Sequence, residues 1–304
     1  MYKMFRKICK MSQESLKGYL SNRLKETHDE IFVGDGFVYA QGKLPVLLVA
    51  HMDTVHKELP KTFEYNATLD VLSSPEGIGA DDRCGVYMIL EVVKHYNCSV
   101  LFCEDEEIGG VGAEKFLETQ LAKQLEFNYM MEFDRKGHND AVFYNCDNPD
   151  FEEFITSGYF KTAYGTFSDI SILAPTLGCA AVNLSCGYYG AHTKDELVVL
   201  SEMEKSISEA CNILERTTEN DKFEYIESKH RGWYDDWYGY EPIGYDGTNE
   251  QKYYLIAYYD KYYNEEYAEV YAMSEAEAVG RFCMEHSDIP FDNVICVQED
   301  EEMI

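Results

Sequence analysis

The chain has 304 residues, 45% of them hydrophobic, enough to bury one large core or one domain plus a smaller one. It carries 26 Lys and Arg against 56 Asp and Glu, a formal charge of −30. That balance argues against a nucleic acid or an anionic membrane met through a basic surface, and it creates a field that draws cations.

Ser12 opens a predicted helix over 12–26, with Leu16, Tyr19, Leu20 and Leu24 at helical spacing. IFVGDGFVYAQ at 31–41 reads as a hairpin turning at Gly34-Asp35-Gly36. VLLVA at 46–50 is a fully apolar strand, as in the middle of a parallel sheet, and it runs into His51-Met52-Asp53. GADDRCG at 79–85 precedes the helical VYMILEVVKHY. SVLFC is a further apolar strand and ends at Glu104-Asp105-Glu106-Glu107, after which Gly109, Gly110 and Gly112 mark a turn into a helix near Ala113. FNYMMEF at 127–133 is a strand that stops at Asp134. SDISIL at 168–173 opens a helix, AAVNL at 180–184 is a strand, and 195–215 is a long amphipathic helix. Strand and helix alternate, which predicts an α/β fold with a mostly parallel central sheet and helices on both faces.

Near residue 217 the composition changes. Residues 217–249 are polar, rich in Tyr and Gly, and contain both Trp residues, as a linker would. Residues 250–304 read as a small ββαβ unit whose helix starts at a Ser274–Glu277 capping box. Its tyrosines lack the basic neighbours of a nucleic-acid platform and read as one face of a sheet. Residues 1–216 are thus the main domain.

Ten cysteines are scattered without CxxC spacing, which removes zinc-ribbon and thioredoxin signatures. They read as reduced thiols of a cytosolic protein. MYKMFRKICKMSQ lacks an apolar stretch of signal-peptide length, and no run approaches 18 apolar residues. The expectation is a soluble, cytoplasmic protein.

The acids are informative by position. His51, Glu106, Glu107 and Asp134 all follow apolar strands, at the sheet edge where α/β proteins bind ligands. With Asp53, Asp81 and the later His192 they form a set of imidazoles and carboxylates without a thiolate, which suits Zn, Mn or Co. Alone, His51 and Asp53 read as well as plain polar residues at a strand end. Glu104 and Asp105 are expected to be solvated, Asp82 and Arg83 to form a structural pair, and His56, His95, His138 and His230 to lie on the surface.

Five segments in order, AHMDTV at 50–55, GADDRCG at 79–85, EDEEIG at 104–109, EFDRKG at 132–137 and the histidine at 192, resemble the co-catalytic di-zinc aminopeptidase and carboxypeptidase superfamily, peptidase clan MH. The resemblance covers about residues 30–215. It implies two divalent ions, Zn first, with Mn or Co as alternatives. His51 and Asp134 would hold one, Glu107 and His192 the other, and Asp81 would bridge them, with a cis peptide to Asp82. Asp53 would fix the tautomer of His51. Glu106 would be the general base that moves a proton from water to the leaving amine.

The chain also departs from its relatives. Asp134 and His192 are only 58 positions apart, and His51 and Asp81 only 30, so neither gap holds a lid or dimerisation domain. Lid residues often bind a substrate carboxylate, so their absence favours an aminopeptidase acting on short peptides. The alternatives are a deacylase of N-acyl amino acids and a non-catalytic metal-binding scaffold. Asp169 is expected to cap the helix that follows it, with a substrate amine as its other possible partner.

Overall fold

The computed structural model describes residues 2–165, 167–228, 252–260, 264–272, 282 and 294–299. The chain forms two compact units, Met1–Asp235 and Asp236–Ile304. In chain order the elements are α1 (Lys3–Cys9), α2 (Gln13–Arg23), β1 (Glu30–Gly34), β2 (Phe37–Gln41), β3 (Leu44–His51), β4 (Glu64–Asn66), β5 (Val71–Ser73), α3 (Ala80–Val92), β6 (Cys98–Cys103) and α4 (Val111–Glu118). Then come β7 (Tyr129–Arg135), β8 (Asp140–Val142), α5 (Pro149–Thr156), β9 (Lys161–Ala163), α6 (Asp169–Leu177), β10 (Ala181–Ser185), β11 (Tyr188–Tyr189), β12 (Leu197–Val199) and α7 (Leu200–Arg216). The second unit contributes β13 (Lys252–Tyr259), β14 (Glu265–Ala272) and β15 (Val294–Glu299).

The main sheet has eight strands in the order β1-β2-β6-β3-β7-β10-β8-β9. Its centre is parallel: β3 pairs β6 and β7, and β7 pairs β10, while β1-β2, β2-β6 and β10-β8 are antiparallel. β3 is apolar up to His51 because both of its faces are covered. Val46, Leu48 and Ala50 join one core with Phe5, Leu16, Ile89 and Met203 from the helices on that side. Leu47 and Val49 join the other, with Ala113 and Phe116 of α4 and Leu173 of α6. The fold is therefore α/β, with a mostly parallel sheet between two helical layers. A second sheet, β11-β12-β5-β4, carries the segment after His192.

Ser12 caps α2 by accepting the N–H of Ser15 at 3.2 Å. The cysteines at 9, 84, 98, 103, 146, 179 and 186 are buried and unbridged. Among the described residues, no helix is long and apolar enough to cross a membrane.

Several local expectations shift. Lys3–Cys9 forms a helix that buries Phe5, Ile8 and Cys9, where the sequence suggested only a basic terminus. α3 begins at Ala80, earlier than its apolar run, and is broken by non-helical backbone at Asp81 and Asp82. Asp134 lies inside β7 and not beyond it. The 195–215 helix starts at Leu200, because Leu197 belongs to β12.

Of the expected linker at 217–249, residues 229–249 lie outside the described residues. Residues 217–228 pack on the main unit: Phe223 stacks against Phe154 and Phe151, and Glu224 and Glu227 make bridges to Cys179 and Cys146. The second unit is an antiparallel sheet in the order β14-β13-β15, and it buries Tyr254, Ile256 and Phe282. The helix expected after Ser274 lies outside the described residues apart from Phe282.

Candidate metal centre

The carboxyl ends of β3, β6 and β7 and the start of α3 converge on one cluster. His51 ends β3, and its main-chain N–H donates to Asp82 Oδ2 at 3.2 Å. Asp82 also accepts the Gly85 N–H at 2.8 Å, and Arg83 donates to the Ile8 carbonyl at 3.1 Å. Each therefore holds backbone in place, and the expected Asp82–Arg83 pair is not made. Gly85 lets α3 press against β7, since a Cβ there would stand 1.9 Å from the Phe133 carbonyl oxygen. The Asp81–Asp82 peptide is cis.

Asp81 lies between two imidazoles. Its Oδ1 is 3.1 Å from His51 Nε2, and its Oδ2 is 3.2 Å from His192 Nε2. Asp134 Oδ1 adds to the first group at 3.5 Å from His51 Nε2, and Glu107 Oε2 adds to the second at 3.1 Å from His192 Nε2. Each group of three places its donor atoms within 4.8 Å of one another. Donors held about 2.0–2.1 Å from a tetrahedral cation stand about 3.3 Å apart, which is the spacing found here. A hydrogen bond alone accounts for the contacts less well, because His51 Nε2 has one proton or lone pair to offer to two carboxylates. Glu107 Oε1 is buried with no hydrogen-bond partner. Two imidazoles and three carboxylates, with no sulfur, suit Zn, Mn or Co. The residues thus fit a pair of divalent ions, with Asp81 shared.

The surroundings hold this set in place. Asp53 Oδ1 is 3.1 Å from His51 Nδ1. The same carboxylate accepts the main-chain N–H groups of Glu106 and Glu107, each at 3.1 Å. One side chain thereby orients both the His51 ring and the Glu-Glu loop. Glu104 and Asp105 are tied as well, by Lys17 Nζ at 2.6 Å and Gln13 Nε2 at 3.0 Å, so α2 anchors that loop and the two acids are not merely solvated. The Asp134 N–H donates to Asn183 Oδ1 at 2.8 Å, and Ser168 Oγ donates to Glu132 and lies 3.2 Å from Asp134 Oδ2.

The electrostatics follow from crowding acids in a buried place. Burial, and then the charges of Asp134, Asp81 and Glu107 against the opposing His51, push the Glu106 carboxyl up to about 8. Burial and the Asp81 charge raise Asp134 to about 7. Burial would raise Asp81 too, but hydrogen bonds from His192 and His51 outweigh it and hold that carboxyl below the ordinary range. His192, bonded to Asp81 and Glu107, is raised to about 10. Glu106 Oε2 is 3.9 Å from His51 Nε2 and belongs to neither group of three.

No protein-family model matches this chain, and no curated protein does. Solved structures do. Aminopeptidase PepT from Bacillus cereus aligns over 70% of this chain and 96% of its own, at 13% identity and a TM-score of 0.56. A tripeptidase from Staphylococcus aureus aligns over 69% and 95%, at 12% identity and 0.56. An aminopeptidase from the archaeon Desulfurococcus kamchatkensis aligns over 71% and 94%, at 14% identity and 0.56. The chain has the aminopeptidase fold.

All seven residues singled out in the sequence, His51, Asp53, Asp81, Glu106, Glu107, Asp134 and His192, meet in this cluster. Asp169 is not the cap of α6: Ser168 occupies that position, and Asp169 is fully buried with neither carboxylate oxygen hydrogen-bonded. Its carboxyl is raised to about 7, chiefly by burial. Two other residues escaped the sequence reading. His56, expected on the surface, has its ring 3.0 Å from a carboxylate oxygen of Glu196, which is itself fully buried. The one available signal was an acid placed directly before the apolar β12.

Proposed function

We propose that residues 1–216 form a two-metal exopeptidase that removes N-terminal residues from short peptides. The observation that carries this is Asp81, whose two oxygens each face a different imidazole while Asp134 and Glu107 complete the two groups. His51, Asp81 and Asp134 would hold one ion, and Asp81, Glu107 and His192 the other, Zn being the first choice and Mn or Co the alternatives. When bound, such a pair supplies Lewis acidity to the scissile carbonyl and lowers the pKa of water.

The chain's own residues do the rest. Glu106 is an unligated carboxylate beside the ion site, held by its main-chain N–H to Asp53. It takes the proton of the attacking water on its carboxylate and returns that proton to the leaving amine. Asp53 keeps His51 in the tautomer that leaves Nε2 free for an ion. Among the described residues, the ion pairs of the site's carboxylates are with His51 and His192. An acidic site suits a free α-ammonium, and we place the substrate's N-terminus against it. Buried, unbridged cysteines fit a reducing compartment, and we place the protein in the cytoplasm.

The test is hydrolysis followed by mass spectrometry, with protein loaded with Zn, Mn or Co and matched peptides bearing free or acetylated N-termini. Stepwise loss of N-terminal residues from the free peptides alone is the expected result. Release of the acyl group would move the assignment to a deacylase. Bound metal without turnover would leave a binding scaffold.

A further inference from the structure

The chemistry above makes no use of Glu196. This carboxylate is fully buried four positions after His192. Its Oε2 accepts the Ala80 N–H at 3.0 Å and lies 3.0 Å from His56 Nε2, while its Oε1 accepts the Asp81 N–H at 3.1 Å. Ala80 and Asp81 open α3, so their N–H groups have no partner within the helix. The non-helical ψ of 105° at Asp81 turns its peptide further out of the helical ladder. A carboxylate this deep needs donors, and it finds them in two backbone groups and one imidazole.

His56 is placed with equal care. It lies three positions past Asp53, in the loop that follows β3, and its ring packs directly on Gly77. A Cβ at Gly77 would stand 2.3 Å from the ring's Cε1, and Gly77 has a φ of +91° that suits glycine. The His56 ring thus occupies a space that only a residue without a side chain leaves open.

Glu196 therefore joins three stretches that bear the ion ligands. Through His56 it reaches the His51–Asp53 segment, through two N–H groups it holds the backbone of Asp81, and through the chain it is tied to His192. We propose that Glu196, backed by His56, is the positioning residue that sets the separation of the two ion sites. It does so by fixing the Ala80–Asp81 backbone so that the two oxygens of Asp81 face different imidazoles. This rests on the two-metal reading given above. Rotation of that peptide would swing Asp81 away from one imidazole and uncouple the sites without removing any ligand.

Glu196→Gln tests it. The side chain keeps its shape, but the two backbone donors face different oxygens. Whichever oxygen becomes the amide –NH2 then meets an N–H donor. Zn2+ affinity of the metal-free protein, measured by competition with a chromogenic chelator, should fall about 10- to 100-fold for the weaker-bound of two ions. The visible spectrum of the Co2+-loaded protein should change, and excess Zn2+ should restore turnover, which a merely unfolded variant would not allow. His56→Phe, which removes the ring donor and leaves the backbone bonds, should shift affinity in the same direction, and His56→Gln should recover part of it. If Glu196→Gln proves unfolded, His56→Phe carries the test. A folded variant that binds both ions with wild-type affinity and an unchanged cobalt spectrum overturns the proposal. Wild-type protein that takes up fewer than two ions refutes the two-metal reading instead, and this proposal with it.

Discussion

Replacing Glu106 by Gln separates proton transfer from metal binding. Glu106 is 9% exposed, and its carboxylate is outside both ligand groups. Its backbone is held by Asp53 at 3.1 Å through a bond that the substitution does not touch. Gln matches its shape but cannot take a proton. The variant should therefore bind two ions, keep KM within a few-fold of wild type, and lose turnover by about 10²–10⁴. At 1.36 kcal/mol per tenfold, that is a barrier higher by about 3–5 kcal/mol. The pH profile gives a second readout. Without ions, Glu106 is raised to about 8 by burial and by neighbouring carboxylates, and bound cations pull a carboxylate down. The acid limb of kcat/KM in the loaded wild-type enzyme should therefore fall below pH 8 and vanish in the variant. The assay is steady-state hydrolysis of a free-N-terminal tripeptide from pH 5 to 9, with metal content read by mass spectrometry on the same samples. Undiminished turnover of Glu106→Gln would refute the assignment, and so would an acid limb that survives the substitution.

Asp81→Ala should lose both ions and His192→Ala one, as read by metal content after dialysis against micromolar Zn2+; equal retention would refute a shared Asp81. Asp53→Ala should weaken metal affinity about 10- to 100-fold and slow turnover further by releasing the Glu106–Glu107 N–H groups, with chelator competition as the check. Stability of the metal-free protein should fall as pH rises. Asp134 at about 7 and His192 at about 10 both lie above their unfolded values, so the native state binds more protons and its advantage is lost as pH climbs through them. Asp81 is shifted the other way, but its contribution is complete above pH 4. Thermal melting in chelator from pH 6 to 9 should show a falling Tm, which saturating Zn2+ reverses; a Tm that rises with pH in chelator would contradict this.

The clustered residues were legible because the apolar strands run into charged ones. VLLVA runs into His51 and SVLFC into the Glu-Glu loop, and burial on both faces makes such strands unmistakable. Asp134 was misplaced by one step: Glu132 and Asp134 share a face of β7, opposite Met131 and Phe133, so the strand continues through the acids. The second sheet was not legible, since strands of two or three residues carry no period. Glu104 and Asp105 looked solvated because their partners, Lys17 and Gln13, lie some ninety positions away. Glu196 and His56 were hidden for a related reason. The partners of Glu196 include main-chain N–H groups, which exist at almost every residue and leave no mark in a sequence.

On the proposed function, the charge of the centre decides which end of a peptide it would accept. Asp53, Asp81, Glu106, Glu107 and Asp134 bring five carboxylates, and two divalent ions return four positive charges. The loaded site thus keeps a net negative charge, offset by no described Lys or Arg ion pair. An α-ammonium is attracted to it. In a dipeptide the C-terminal carboxylate would be only about 7 Å away, one or two residues' reach. At an effective dielectric constant near 20, one like charge at that distance costs about 2 kcal/mol, roughly 30-fold in rate. A dipeptide amide should accordingly be cleaved faster than the dipeptide acid, by up to that factor at low salt. The advantage should shrink with added salt and disappear by the tetrapeptide, as screening and distance remove the repulsion. A consistent preference for the free acid at every length would mean that a cationic group reads the C-terminus. It would contradict the aminopeptidase assignment and favour an enzyme that recognises a substrate carboxylate.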